Sequence, residues 1–243
     1  MFAEHAIYRD EYWHSPGGRA IREIVFGFND GLVSTLGFVV GVAGAIADQH
    51  IVLVTGLAEV MAGCFSMFFG GYLSTKNQRE FFQKEIDREK FEIENMPEKE
   101  KDEVRSIYAA KGFKGNQLEA IVDHITSDRN LWLKCMMEEE LGLIFESMDN
   151  PLKVGSVTGF SFMMGGFVPL IPFVFFGSIH AIHHSIILSA VALFGIGVIK
   201  THLTKKNWLA SGFESFVIGL LATAVGLLFG KVAAHFGAGK IPL

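Results

Sequence analysis

Residues 51–95 read IVLVTGLAEVMAGCFSMFFGGYLSTKNQREFFQKEIDREKFEIEN. The first half is apolar for long enough to cross a bilayer, which takes about 20 residues, and the second half is densely charged. No Pro or Gly occurs between Thr75 and Asn95, and no turn signal separates Tyr72 from Arg79. One helix is therefore expected to leave the apolar span and continue into a polar domain. Phe81, Phe82, Ile86 and Phe91 give the polar half a broken apolar stripe.

Four more segments of the 243-residue chain have the length and apolarity of a span. The expected set is 24–47, 51–74, 154–176, 182–200 and 212–232. Half of the chain is hydrophobic, with 27 Gly and 23 Phe, too apolar for an ordinary soluble domain. The fold class predicted is an all-α membrane protein of five transmembrane helices, with a helical insert at 76–150 between spans two and three. Residues 1–23 form an N-terminal segment, 24–75 carry spans one and two, and 151–243 carry spans three to five. Strands have no good candidate.

Lys and Arg set the orientation. Of 21 basic residues, 19 lie before span one, in the insert, at Lys153, or between spans four and five. That face is expected to be cytoplasmic, with the N-terminus and insert inside and the C-terminus outside. The polar start of the chain shows no short apolar core with a small-residue cleavage site, so no cleaved signal peptide is expected. Cys64 and Cys135 lie in different environments, which argues against a structural disulfide.

The insert holds 18 of the 26 acidic residues against 12 Lys and Arg. That balance points to cations and away from nucleic acid. Pro97 ends the first insert helix and opens a second at 98–111, before Gly112 and Gly115. A third is expected near 117–125. A fourth, capped by Ser127 or Asp128, is expected over 129–146, ahead of Asn150-Pro151. Glu89/Glu92 and Glu100/Glu103 are i,i+3 pairs, each presenting two carboxylates on one helical face. Met136 and Glu140 are i,i+4, with Met137 beside them. Carboxylates suit Fe2+, Mn2+ or Zn2+, and a thioether moves preference away from Mg2+ and Ca2+.

The spans carry acids of their own. Asp30, Ser34, Gly37, Gly41 and Gly44 recur on one face of span one, and Glu59, Gly63, Ser66, Gly70 and Ser74 on one face of span two. Such small, polar faces serve helix contact or a solvated path. Asp30 lies roughly 9 Å, and Met67 roughly 10 Å, inside the cytoplasmic end, at 1.5 Å per residue. Glu59 stands about 12 Å further out than Met67. An acid at mid-bilayer costs roughly 2.5–3.5 kcal/mol on insertion scales, so Asp30 and Glu59 are candidates for a transport path. Their neutralisation by protons is the chemistry that ion–proton exchange requires.

Other chemistries find no support. The insert has no Glu-x-x-His, so a ferritin-like di-iron centre lacks its histidines, and no CxxC, P-loop or catalytic triad occurs; the chain does not read as an enzyme. His180, His183 and His184 are read as a wet turn between spans three and four, and Pro169 and Pro172 are expected to kink span three.

Five segments then carry a resemblance: GRAIREIVFGFNDGLVSTLGFVVGVAGA in span one, GLAEVMAGCFSMFFGGYLS in span two, and REKFEIENMPEKEKDEV, WLKCMMEEELGL and GGFVPLIPF in order after them. Over about residues 17–235 the chain resembles the vacuolar iron transporter family. The resemblance implies a five-span homodimer that exchanges cytosolic Fe2+, often also Mn2+ or other divalent ions such as Co2+ and Zn2+, for protons. No prosthetic group is implied. It implies a path at the dimer interface, lined by span one of both subunits. Asp30 and Met67 would form the intramembrane metal site, and Glu59 would belong to the same path. The insert's ligand positions would be Glu89, Glu92, Glu100, Glu103, Met136, Met137 and Glu140. The membrane would be the plasma membrane in a prokaryote and the vacuolar membrane in a eukaryote.

Overall fold

The computed structural model describes residues 17–46, 48–143, 149–204 and 207–236. Its helices are α1 (Gly17–Ala45), α2 (Gln49–Asn95), α3 (Pro97–Ala110), α4 (Asn116–Ser127), α5 (Arg129–Cys135), α6 (Pro151–Phe175), α7 (Ser178–Thr204) and α8 (Trp208–Phe236), with a π-helical turn at Met136–Glu140 after α5. No strand occurs among the described residues. Five helices, α1, α2, α6, α7 and α8, are long and apolar enough to cross a membrane. As the missing breakers predict, α2 is one helix of 47 residues.

The chain divides into two compact units, one of residues up to Tyr72 with those from Leu152 onward, the other Leu73–Pro151. In the first, Leu36, Val39, Val40, Val52, Val60, Leu170, Phe173 and Ala181 form a buried core. Glycines set the closest approaches. A Cβ added at Gly41 would lie 2.9 Å from the Gly226 carbonyl oxygen, and one at Gly226 or Gly230 would collide with the backbone of Gly37 or Gly41. Two G-x-x-x-G steps thus face each other across α1 and α8, a close packing that membrane helices use where lipid removes the hydrophobic drive to associate. The Gly37–Gly41 part of the small-residue face of α1 is therefore a helix contact, not a solvated wall.

α6 packs by the same device on both of the first two helices. Gly27 and Gly31 of α1 lie on the Thr158–Phe162 backbone. On the other side, Cβ atoms at Gly155 and Gly159 would meet the carbonyl oxygens of Phe68 at 2.6 Å and Cys64 at 2.8 Å. Both prolines, Pro169 and Pro172, sit inside α6. Ser185 of α7 donates to the Pro169 carbonyl at 2.7 Å, and the Gln49 amide donates to the Phe173 carbonyl in the last turn of α6, where carbonyls have no partner within the helix.

Some boundaries differ from expectation. α1 begins seven residues before 24, since nothing between Arg19 and Val25 breaks a helix. His180, His183 and His184 belong to the first two turns of α7 and not to a loop, because no Gly or Pro interrupts the chain between Gly177 and Gly195. The His184 ring stacks on Phe176 with centroids 4.5 Å apart, and its Nδ1 lies 2.7 Å from the His180 carbonyl oxygen.

In the second unit, Ile93, Val104, Val122, Ile125, Trp132, Cys135 and Met136 make the core. Asp128 caps α5, accepting from the amides of Asn130 and Leu131 at 2.8 and 2.9 Å. The fourth insert helix ends well short of 146: it passes into the π turn at Met136 and closes at Gly142. There a φ of 64° takes the left-handed conformation that favours glycine. Residues 144–146 of the expected helix lie outside the described residues.

Overpacking the α1–α8 crossing should cost about 1–3 kcal/mol. Gly226→Leu is expected to lower the thermal unfolding midpoint of the detergent-solubilised protein, whereas Gly195→Ala, where nothing lies within 4 Å of an added Cβ, should leave it unchanged.

Candidate metal centre and membrane carboxylates

Glu89 stands near the end of α2 and Glu100 in the first turns of α3, and only Met96 links the two helices. Glu140 closes the π turn. One carboxylate oxygen from each of these three residues lies within 4.8 Å of the others. Glu89 is 3% exposed and Glu100 fully buried. Glu89 Oε1 and both Glu100 oxygens are buried with no hydrogen-bond partner. The nearest cation, Lys99, keeps its Nζ 3.6 Å from Glu100 and 3.0 Å from Glu103, with its side chain exposed. A buried carboxylate left without a donor is costly. With the exposed Glu140 carboxylate beside them, Glu89 and Glu100 make an oxygen-lined concentration of negative charge suited to a hard or borderline divalent ion.

Electrostatics follow from that crowding. Burial, then the charges of Glu140 and Glu100, push the Glu89 carboxyl up to about 8. Burial also raises Glu100, helped by Glu103, and raises Glu140, helped by Glu103, Glu100 and Glu92. At neutral pH the Glu89 carboxyl thus retains a proton that an arriving cation must displace.

Of the seven expected insert positions, the structure brings these three together. Glu92 and Glu103 contribute to the cluster's field, but each is ion-paired, with Arg88 at 3.2 Å and Lys99 at 3.0 Å. Met136 packs in the apolar core, and Met137 is 1% exposed. The π turn escapes sequence reasoning: the Leu141 amide bonds to the Met136 carbonyl five residues back. π turns are uncommon and recur at functional sites, and this one carries Glu140 to Glu89 and Glu100. An apolar-periodicity reading has no signal for it.

In the membrane-type unit, Glu59 is half-buried. Its Oε2 accepts from Thr35 Oγ1 at 2.6 Å and its Oε1 from Ser34 Oγ at 3.2 Å. Glu59 therefore stands opposite the turn of α1 that follows Asp30. Gly31 and Gly63 both abut Phe162, which gives the α1–α2 register and leaves Met67 within about one turn, roughly 5 Å, of Asp30 in depth. Met67 is half-buried, and Asp30 is exposed on the surface of the single chain. Seven residues before Asp30, Glu23 is a further carboxylate that motif reading passes over. It accepts from Thr158 Oγ1 at 3.2 Å and pairs with Arg22 at 2.7 Å.

These features meet a consistent set of relatives. Residues 21–231 match the model of the VIT family. Vacuolar iron transporter 1 of Arabidopsis thaliana is 34% identical over 223 residues, covering 91% of this chain and 89% of the relative. Vacuolar iron transporter 2 of Oryza sativa subsp. japonica is 33% identical, with 90% and 89% covered. The vacuolar iron transporter of Plasmodium falciparum is 32% identical, with 87% and 81% covered. A match across both units and all five apolar helices, at this identity, makes the chain a member of the VIT family.

Proposed function

We propose that the protein carries divalent metal, Fe2+ foremost and Mn2+ as a second substrate, out of the cytosol in exchange for protons. The observation that carries this reading is the Glu89–Glu100–Glu140 cluster, whose buried oxygens have no donor and whose carboxyls are raised. A cation supplies the missing partner, and protons are what it displaces. The vacuolar iron transporter names of the relatives support iron as the cargo. Co2+ and Zn2+ satisfy the same oxygen donors.

In this account the insert is cytoplasmic and captures the ion at Glu89, Glu100 and Glu140, with Glu92 and Glu103 adding charge. Asp30 and Met67 hold the ion within the bilayer. Glu59 accepts it or a proton on the way out, and protonation of a carboxylate ligand loosens its hold on metal. An acidic far side thereby drives release. The exposure of Asp30 supports a homodimer, since an acid facing lipid is expensive and a second copy of α1 would cover it. The competing reading is a membrane-anchored metal store, for which acids in the spans have no use.

Reconstitution into liposomes separates the two. Mn2+ or anaerobic Fe2+ flux should rise several-fold when the compartment receiving metal is made acidic, and Asp30→Ala should reduce it at least tenfold. Intact flux in Asp30→Ala would favour the store, and flux indifferent to the pH gradient would favour a passive channel.

The cluster also fixes a pH dependence. Because Glu89 is raised from an ordinary 4.5 to about 8, the folded apo protein holds a proton that the unfolded chain has lost. Its contribution to stability is full below about 4.5 and fades as pH rises toward 8. Metal affinity runs the opposite way. Mn2+ binding to the full-length protein should tighten about tenfold per pH unit, for each proton displaced, between pH 5.5 and 8, and level off above. Calorimetry in buffers of different ionisation enthalpy reads the released protons directly, and Glu100→Gln should reduce both the affinity and the proton count.

A further inference from the structure

We propose that Thr35, assisted by Ser34, is the positioning residue that holds Glu59 ready for a cation. The inference rests on the reading of Glu59 as part of the transport path. Both donors belong to α1 and the acceptor to α2, so the pair of hydrogen bonds ties the first two spans together at the carboxylate itself.

Thr35 is built into place for this. Its side chain is fully buried, and α6 gives it room with a glycine: a Cβ at Gly166 would stand 2.9 Å from Thr35 Oγ1 and 2.8 Å from Val60 Cγ2. Helical threonines commonly turn their hydroxyl back onto their own helix. Thr55 and Thr223 do so here, at 2.6 and 2.8 Å from the carbonyls four residues earlier. The hydroxyl of Thr35 instead crosses to Glu59. Ser34 is the weaker partner, divided between Glu59 and the Gly31 carbonyl at 3.4 Å.

The chemistry of the donors matters as much as their geometry. Among the described residues no Lys, Arg or His pairs with Glu59, so two neutral hydroxyls orient the carboxylate without cancelling its charge. An ionised carboxylate offers about four acceptor positions. Two are taken, and the others remain for a metal ion or a proton. A lysine in place of Thr35 would hold the same group and occupy it.

The test is Mn2+ flux through the full-length protein in liposomes. Thr35→Val keeps nearly the same shape and removes the donor. It is expected to raise the Mn2+ concentration for half-maximal flux about tenfold, the scale of one hydrogen bond to a charged group, with the thermal unfolding midpoint little changed. Thr35→Ser should return it to within about twofold of the parent. A Thr35→Val protein with parental half-saturation, or a Thr35→Ser protein as impaired as Thr35→Val, overturns the proposal, because a mere packing role does not depend on the hydroxyl. Should Thr35→Val fail to fold, Ser34→Ala carries the test: about a threefold rise is expected, and parental behaviour contradicts it. Glu59→Gln separates this inference from the one beneath it. Unimpaired flux in Glu59→Gln removes Glu59 from the path, whereas impaired flux there with a parental Thr35→Val defeats the positioning role alone.

Discussion

Negative charge that cations compensate only in part, where water is scarce, is the constraint around which this molecule is organised. Glu89 and Glu100 are buried with oxygens that no donor reaches, and Glu59 is held by hydroxyls alone. Proteins ordinarily pair such groups or keep them in water. For Glu89, whose carboxyl is pushed up by burial to about 8, the protonated form is favoured and the ionised form is open to a cation. On the proposed reading these carboxylates hold a metal ion or a proton, but not both fully at once, and that exclusion is the physical basis of the exchange we propose.

The surrounding fold keeps those groups in register without filling the space they need. Small residues bring α1 against α8 and α6 to backbone contact, so the helix bearing Asp30, Ser34 and Thr35 is braced on two sides. Gly166 gives the Thr35 hydroxyl its room, and Phe162 fits between Gly31 and Gly63. In the other unit the π turn and the Met96 link converge three carboxylates from three elements. The apolar core beside them, with Val104 and Met136 fully buried, supplies the dry wall that raises their proton affinity.

Much of this was legible in the residues. Span positions followed from apolar length, and the unbroken α2 from the absence of Gly and Pro between Thr75 and Asn95. A cap at Ser127 or Asp128 followed from short polar side chains ahead of a helix, and the structure selects Asp128. Within the acidic insert, i,i+3 spacing drew attention to Glu89, Glu92, Glu100 and Glu103 alike. Spacing shows which groups share a face but not which face turns inward, so it could not separate buried Glu89 and Glu100 from Glu92 and Glu103, which pair with Arg88 and Lys99. The π turn and the Thr35–Glu59 bond were out of reach for a related reason. One is a local change in helical winding with no compositional mark, and the other joins residues 24 apart on helices whose register only packing sets. The small face of α1 was ambiguous in sequence because a helix contact and a solvated path call for the same residues.

The most direct test of the central claim is to locate a bound ion. Anomalous X-ray scattering from the full-length protein loaded with Co2+ or Zn2+ should place a peak about 2.0–2.5 Å from carboxylate oxygens of Glu89, Glu100 and Glu140. A map in which that position stays empty at saturating metal, or in which the Lys99 ammonium fills it, would contradict the account.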